Sequence, residues 1–133
     1  AFYVLVFDHA TDALLERIGL DDKHRETSGK SVFVAEAHLT YEKEVLEGNS
    51  VCVSTQILDV DEKRMHLFHR MYLSSPEYLI STNELMILSV DLAVRRVSPF
   101  SKKVMENLLS IFKTHKSLPH PEQAGRIINI RKK

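Results

Sequence analysis

From Ala1 to Ile18 apolar side chains recur at Tyr3, Phe7, Ala10, Leu14 and Ile18, with a second set at Phe2, Leu5, Val6 and Ala13. That spacing is helical and leaves almost no polar face. Gly19 supplies a stop, so the pattern predicts a helix over 1–19, about 18 residues and roughly 27 Å long. A helix this apolar belongs at the centre of something that wraps around it. No Ser, Thr, Asp or Asn stands before Ala1 to cap the first amides, which predicts a helix start upstream of Ala1.

After the polar stretch 21–30 the period changes to two. Ser31 to Tyr41 puts Phe33, Ala35, Ala37, Leu39 and Tyr41 on one face and Val32, Val34, Glu36, His38 and Thr40 on the other. Strands over 50–60, 64–73 and 78–92 follow, separated by turns at Asp61-Glu62-Lys63 and Ser74-Ser75-Pro76, with a further turn at Glu47-Gly48-Asn49. Short turns between consecutive strands predict an antiparallel meander spanning 31–92. The last strand is apolar on both faces, Leu85 and Ile87 against Met86, Leu88 and Val90, so it needs cover on both sides. A second copy of the sheet would supply it, predicting a symmetric dimer. Beyond Pro99, Val104, Leu108, Ile111 and Phe112 mark one side of a helix over 101–115, and a tail over 116–133 ends basic. The predicted class is α+β, a single domain over 1–133 whose sheet curls around the first helix.

Composition narrows the chemistry. The chain has 133 residues, enough for one core, and 18 Lys plus Arg balance 18 Asp plus Glu. Without net charge, nucleic acid is not an expected partner. No apolar run approaches the roughly 18 residues that a membrane span needs, so no membrane partner is expected either. The four glycines are too scattered for a GxGxxG or P-loop cradle. One cysteine, Cys52, supports neither an intrachain disulfide nor a multi-Cys zinc site and reads as a small core residue in a reducing compartment, the cytoplasm. His66 and His69 point to opposite faces of their strand, so no metal held jointly by them is expected.

Glu84 shares its stripe with Ile80, Thr82, Met86, Leu88 and Val90, a lone acid among apolar neighbours. Such a place suits proton transfer. It suits better a structural role, a network in which Glu84 pairs with Arg70 or His38, or a place at a wet dimer edge. Glu36 and His38 share one face of their strand and form a possible acid–imidazole pair.

The order YxxxVxxGxxVxVxTxxxxxDxKRxxxxHxxY, carried here by VAEAHLTYEKEVLEGNSVCVSTQILDVDEKRMHLFHRMY, follows the helix AFYVLVFDHATDALLERIG and precedes ISTNELMILSVDLAVRRVSPF. Together these segments resemble the 4-hydroxybenzoyl-CoA thioesterase-like group of hotdog-fold acyl-CoA thioesterases over about 1–100. The closing PEQAGRIINIR and the STNELMILSVD strand most resemble the bacterial branch that includes betainyl-CoA thioesterases.

The resemblance implies a hotdog fold, an antiparallel sheet wrapped around a long central helix with a further C-terminal helix. It also implies cofactor-free hydrolysis of acyl-CoA thioesters by a homodimer or dimer of dimers, the site shared between one subunit's helix and its neighbour's strands. A thioester carbonyl needs no nucleophilic serine; amides at a helix start can polarise its oxygen while a carboxylate attacks the carbonyl or activates water. The family's principal acid sits in a D-x-N-G-H-M-N loop expected upstream of Ala1. Tyr3 matches the tyrosine that the family carries just after that loop, and Ala1, Tyr3 and Phe7 form the expected oxyanion and acyl-pocket set. Glu84, Glu36 and His38 are the carboxylate and imidazole candidates within the chain. Arg95, Arg96, Lys102 and Lys103 form the basic cluster for the CoA phosphates. Rival readings are a non-catalytic acyl-thioester-binding or regulatory module, and a hydratase, whose helix-opening His–carboxylate motif is not present in these residues.

Overall fold

The computed structural model describes residues 2–45, 48–74 and 77–130. The expected oxyanion residue Ala1, and the turn residues Glu47, Ser75 and Pro76, lie outside them.

The apolar helix forms as α1, Phe2–Arg17. Asp21 then caps a short helix α2, Asp22–Ser28, by accepting from the His24 N–H at 2.9 Å, and Gly29 ends it at φ +70°, a left-handed conformation that costs glycine nothing. The sheet strands are β1 Lys30–Tyr41, β2 Val51–Val60, β3 Arg64–Ser74, β4 Glu77–Asp91 and β5 Arg96–Val97. Helix α3, Lys102–His115, follows. At the β2–β3 turn the Asp61 carboxylate accepts from the Lys63 and Arg64 amides and from the Arg64 guanidinium, which holds its carboxyl below the usual range.

The spatial order is β1-β4-β3-β2, every pair antiparallel, with β5 also on β4. Only β2, β3 and β4 make the expected meander; β1 crosses over to pair with β4, which corrects the simple up-and-down reading. Bulges between Val34 and Glu36, Ile57 and Asp59, and Met71 and Tyr72 shift the faces along the strands. The single alternation expected for β1 is thus broken: Val32 before the bulge and Leu39 after it both pack on the helix side. Ile80 likewise lies in the inner core, not on the stripe of Glu84.

Two apolar clusters fill the helix side. One joins Leu14 and Leu15 of α1, with Ile18 just past its end, to Leu67, Leu85, Ile87 and to Val104 and Leu108 of α3; the other gathers Phe7, Met71, Leu73 and Ile80. Within the chain the sheet covers only one side of α1, and Phe2, Val4 and Leu5 stay exposed. No helix among the described residues is long and apolar enough to cross a membrane.

Candidate active site

Strand pairing assembles a titratable cluster on the face of the sheet that points away from α1. His38 stands opposite Glu84, Glu36 opposite Met86, and His66 opposite Met86 from the other side, so side chains from β1, β4 and β3 meet above one patch. The His66 Nε2 lies 2.6 Å from Glu84 Oε2. Glu84 also accepts the Gly125 N–H, at 3.0 Å to Oε1 and 3.2 Å to Oε2. Where Glu84 Oε2 is the acceptor of this contact, Nε2 of His66 is the donor and Nδ1 is left as the neutral ring's acceptor. Glu36, His38, His66, Glu84, Gly125 and Arg126 all line one cavity of about 610 Å³. The structure therefore brings Glu84, Glu36 and His38 together, but the partner of Glu84 is His66 rather than Arg70 or His38.

Counting outward from the turn at Ser74-Ser75-Pro76 would have set His66 near residue 84, and that arithmetic is the signal sequence reasoning passed over. Gly125 gave no such signal, because it reaches Glu84 from 41 positions away.

The inner face carries a second polar group. Thr55, His69 and Asn83 are in register across β2, β3 and β4. The Thr11 hydroxyl donates to the Phe7 carbonyl at 3.2 Å, so at 2.8 Å it accepts from His69 Nε2, and Thr55 donates to Nδ1 at 2.8 Å. Phe7 stacks on the imidazole at 5.9 Å. Burial without a charged partner pushes the His69 pKa down to about 4, so the ring is neutral. Asn83 Oδ1, next in the row, is buried with no hydrogen-bond partner among the described residues.

Tyr3 is half-buried and donates to the Lys43 carbonyl at 3.3 Å, while Phe7 is fully buried in the inner core. Both lie on the α1 side, so within one chain the expected acyl-pocket residues and the carboxylates occupy opposite faces of the sheet. Of the expected phosphate cluster, Arg95 borders a cleft of about 480 Å³ with Phe33 and Asp91, while Arg96, Lys102 and Lys103 are exposed. Cys52, expected in the core, is exposed, because it alternates with Val51 and Val53, which face inward. Among the described residues no three His, Cys, Asp or Glu side chains are grouped to hold a metal ion.

Residues 1–108 match the Thioesterase-like superfamily. The chain is 43% identical to the betainyl-CoA thioesterase of Pseudomonas aeruginosa, the match covering 98% of this chain and 82% of that protein. It is 35% identical to the L-carnitine dehydrogenase/betainyl-CoA thioesterase of Rhizobium meliloti, over 93% of this chain and 25% of that longer protein. A Staphylococcus aureus protein solved in complex with CoA superposes with a TM-score of 0.93 at 30% identity, over 98% of this chain and 82% of that one.

Proposed function

Because the chain belongs to the thioesterase-like superfamily and hydrolyses acyl-CoA thioesters to a carboxylic acid and free CoA, we propose that the outer-face cavity is where water is activated. Hydrolysis takes precedence over the rival reading of a non-catalytic binding module. The observation that carries the site assignment is the 2.6 Å contact between His66 and Glu84 at the cavity wall.

In this reading His66 Nδ1 takes a proton from water as the water oxygen attacks the thioester carbonyl, and the Glu84 carboxylate faces the imidazolium that forms. The tetrahedral intermediate then collapses, the C–S bond breaks, and His66 returns the proton to the departing thiolate. Glu36, exposed at the cavity rim, and His38 complete the wall. We assign a small, positively charged acyl group, as in betainyl-CoA. The similarity to a betainyl-CoA thioesterase supports this, and so does the Glu36 carboxylate, a natural neighbour for a fixed cation that cannot donate a hydrogen bond. We further assign a homodimer built on the free edge of β1, where Phe33, Val34 and Tyr41 stand exposed beside an α1 whose Phe2, Val4 and Leu5 are uncovered. An exposed, unpaired Cys52 suits the reducing cytoplasm.

Free-thiol release from betainyl-CoA and acetyl-CoA tests the assignment. Glu84→Gln and His66→Asn should each lower kcat by about 10²-fold with the melting temperature shifted by only a few degrees, and betainyl-CoA should have the higher kcat/KM in the unaltered protein. Folded variants that turn over normally would remove the outer-face site.

A further inference from the structure

Three aromatic rings gather where α1 begins and β1 ends. The Tyr3 hydroxyl donates to the Lys43 carbonyl at 3.3 Å, just past the end of β1, and that bond holds the Tyr3 ring against the strand end. The Tyr41 ring lies 5.3 Å from it, tilted by 41°, and the Phe2 ring 5.7 Å from it at 60°. Leu39 packs beside Tyr3 in the inner cluster, and alternation puts Tyr41 on the same strand face, toward the start of α1.

Such spacings belong to ordinary aromatic pairs, but the exposure does not. Phe2 is 51% and Tyr41 60% exposed, so ring faces of the kind that fill cores stand open here. A fourth ring packed on the same cluster, Tyr78, already carries a cation: the Lys43 ammonium lies 5.5 Å from its centroid. A quaternary ammonium group has no N–H to donate, and its charge is spread over methyl groups. A carboxylate such as Glu36 offers it charge alone. Ring faces offer an attractive quadrupole and apolar contact together, within about 6 Å of a centroid.

We propose that Phe2, Tyr3 and Tyr41 form an aromatic wall that takes the trimethylammonium end of the acyl group. This rests on the positively charged acyl group assigned above and is independent of where water is activated. The three are specificity-determining residues, which read the acyl end and touch no reacting atom. In the homodimer assigned above, the second copy would close over these rings, and the attraction between a cation and a ring strengthens as water leaves.

The full chain is tested with betainyl-CoA and with 3,3-dimethylbutyryl-CoA, which has carbon in place of the ammonium nitrogen and so keeps the shape without the charge. The parent should favour betainyl-CoA in kcat/KM by about 10-fold, the size of a partly desolvated cation–ring contact. Tyr41→Leu and Phe2→Leu keep an apolar side chain but remove a ring face, and each should cut that ratio by about threefold or more. Tyr41→Phe keeps the face and should leave the ratio within about twofold of the parent. Leucine variants that lose activity equally on both substrates, with or without a change of mass in light scattering, would show the rings to be packing alone and overturn the proposal. A ratio that survives both leucine variants would overturn it as well, and its fall in Glu36→Gln would then place the cation at Glu36. A parent with no preference for the charged acyl group would overturn the reading on which the ring site rests, and the ring site with it.

Discussion

His69 carries no charge in the folded chain, and the physical reason is also a prediction. Its ring is 0% exposed between two threonine hydroxyls and has no carboxylate to pair with, so its pKa falls to about 4. In the unfolded chain the same ring titrates near its ordinary 6.5. The stability tied to its neutral form is therefore complete above about pH 6.5 and is lost as the pH falls toward about 4, where the loss reaches on the order of 3 kcal/mol. His115, whose Nδ1 accepts the Ile57 N–H, is pushed the same way by burial and by Arg17. Denaturant titrations at about pH 7.5, 6 and 5 should show a progressive fall in unfolding free energy, and His69→Gln should flatten the profile; a profile just as steep in that variant would place the linkage elsewhere.

At the scale of elements, α1 is held to the sheet by apolar contact and, among the described residues, by one polar tie, Thr11 to His69. Thr11→Val keeps the shape of the side chain but leaves the ring N–H buried without an acceptor, which costs about 1–3 kcal/mol. The melting temperature should fall, and α1 amides should exchange with solvent faster than those of β3 and β4; uniform exchange across the chain would show the tie to be inert. Periodicity exposed the long elements of this fold, α1, the four long strands and α3, because each buries a continuous face. It did not expose α2, whose sequence DKHRETS has no apolar face, although Asp21 before it and Gly29 after it were visible cap residues. Nor did it expose the β1–β4 pairing or the bulge at Ala35, since neither is set by local pattern. The candidate site was half legible: Glu36, His38 and Glu84 followed from alternation, whereas His66 and Gly125 depended on register and on the path of the tail.

At the scale of the molecule, one chain leaves apolar surface uncovered along α1 and the β1 edge. Light scattering at micromolar concentration should report twice 15.3 kDa, and Val34→Lys on the free edge should shift the population toward monomer; a single 15.3 kDa species for the parent chain would remove the dimer. The polar row across the inner face has a different consequence. Sliding β3 by one residue against its neighbours would turn its whole core set outward, but sliding it by two would preserve the alternation of apolar and polar faces. Hydrophobicity alone is nearly blind to that second error. In the slipped sheet, however, His69 would lie opposite Val53 or Ile57 instead of Thr55, its ring nitrogens buried against methyl groups. Thr55, His69 and Thr11 thus act as a key cut into an otherwise greasy surface, and they select one alignment of the strands from a ladder of near-equivalent ones.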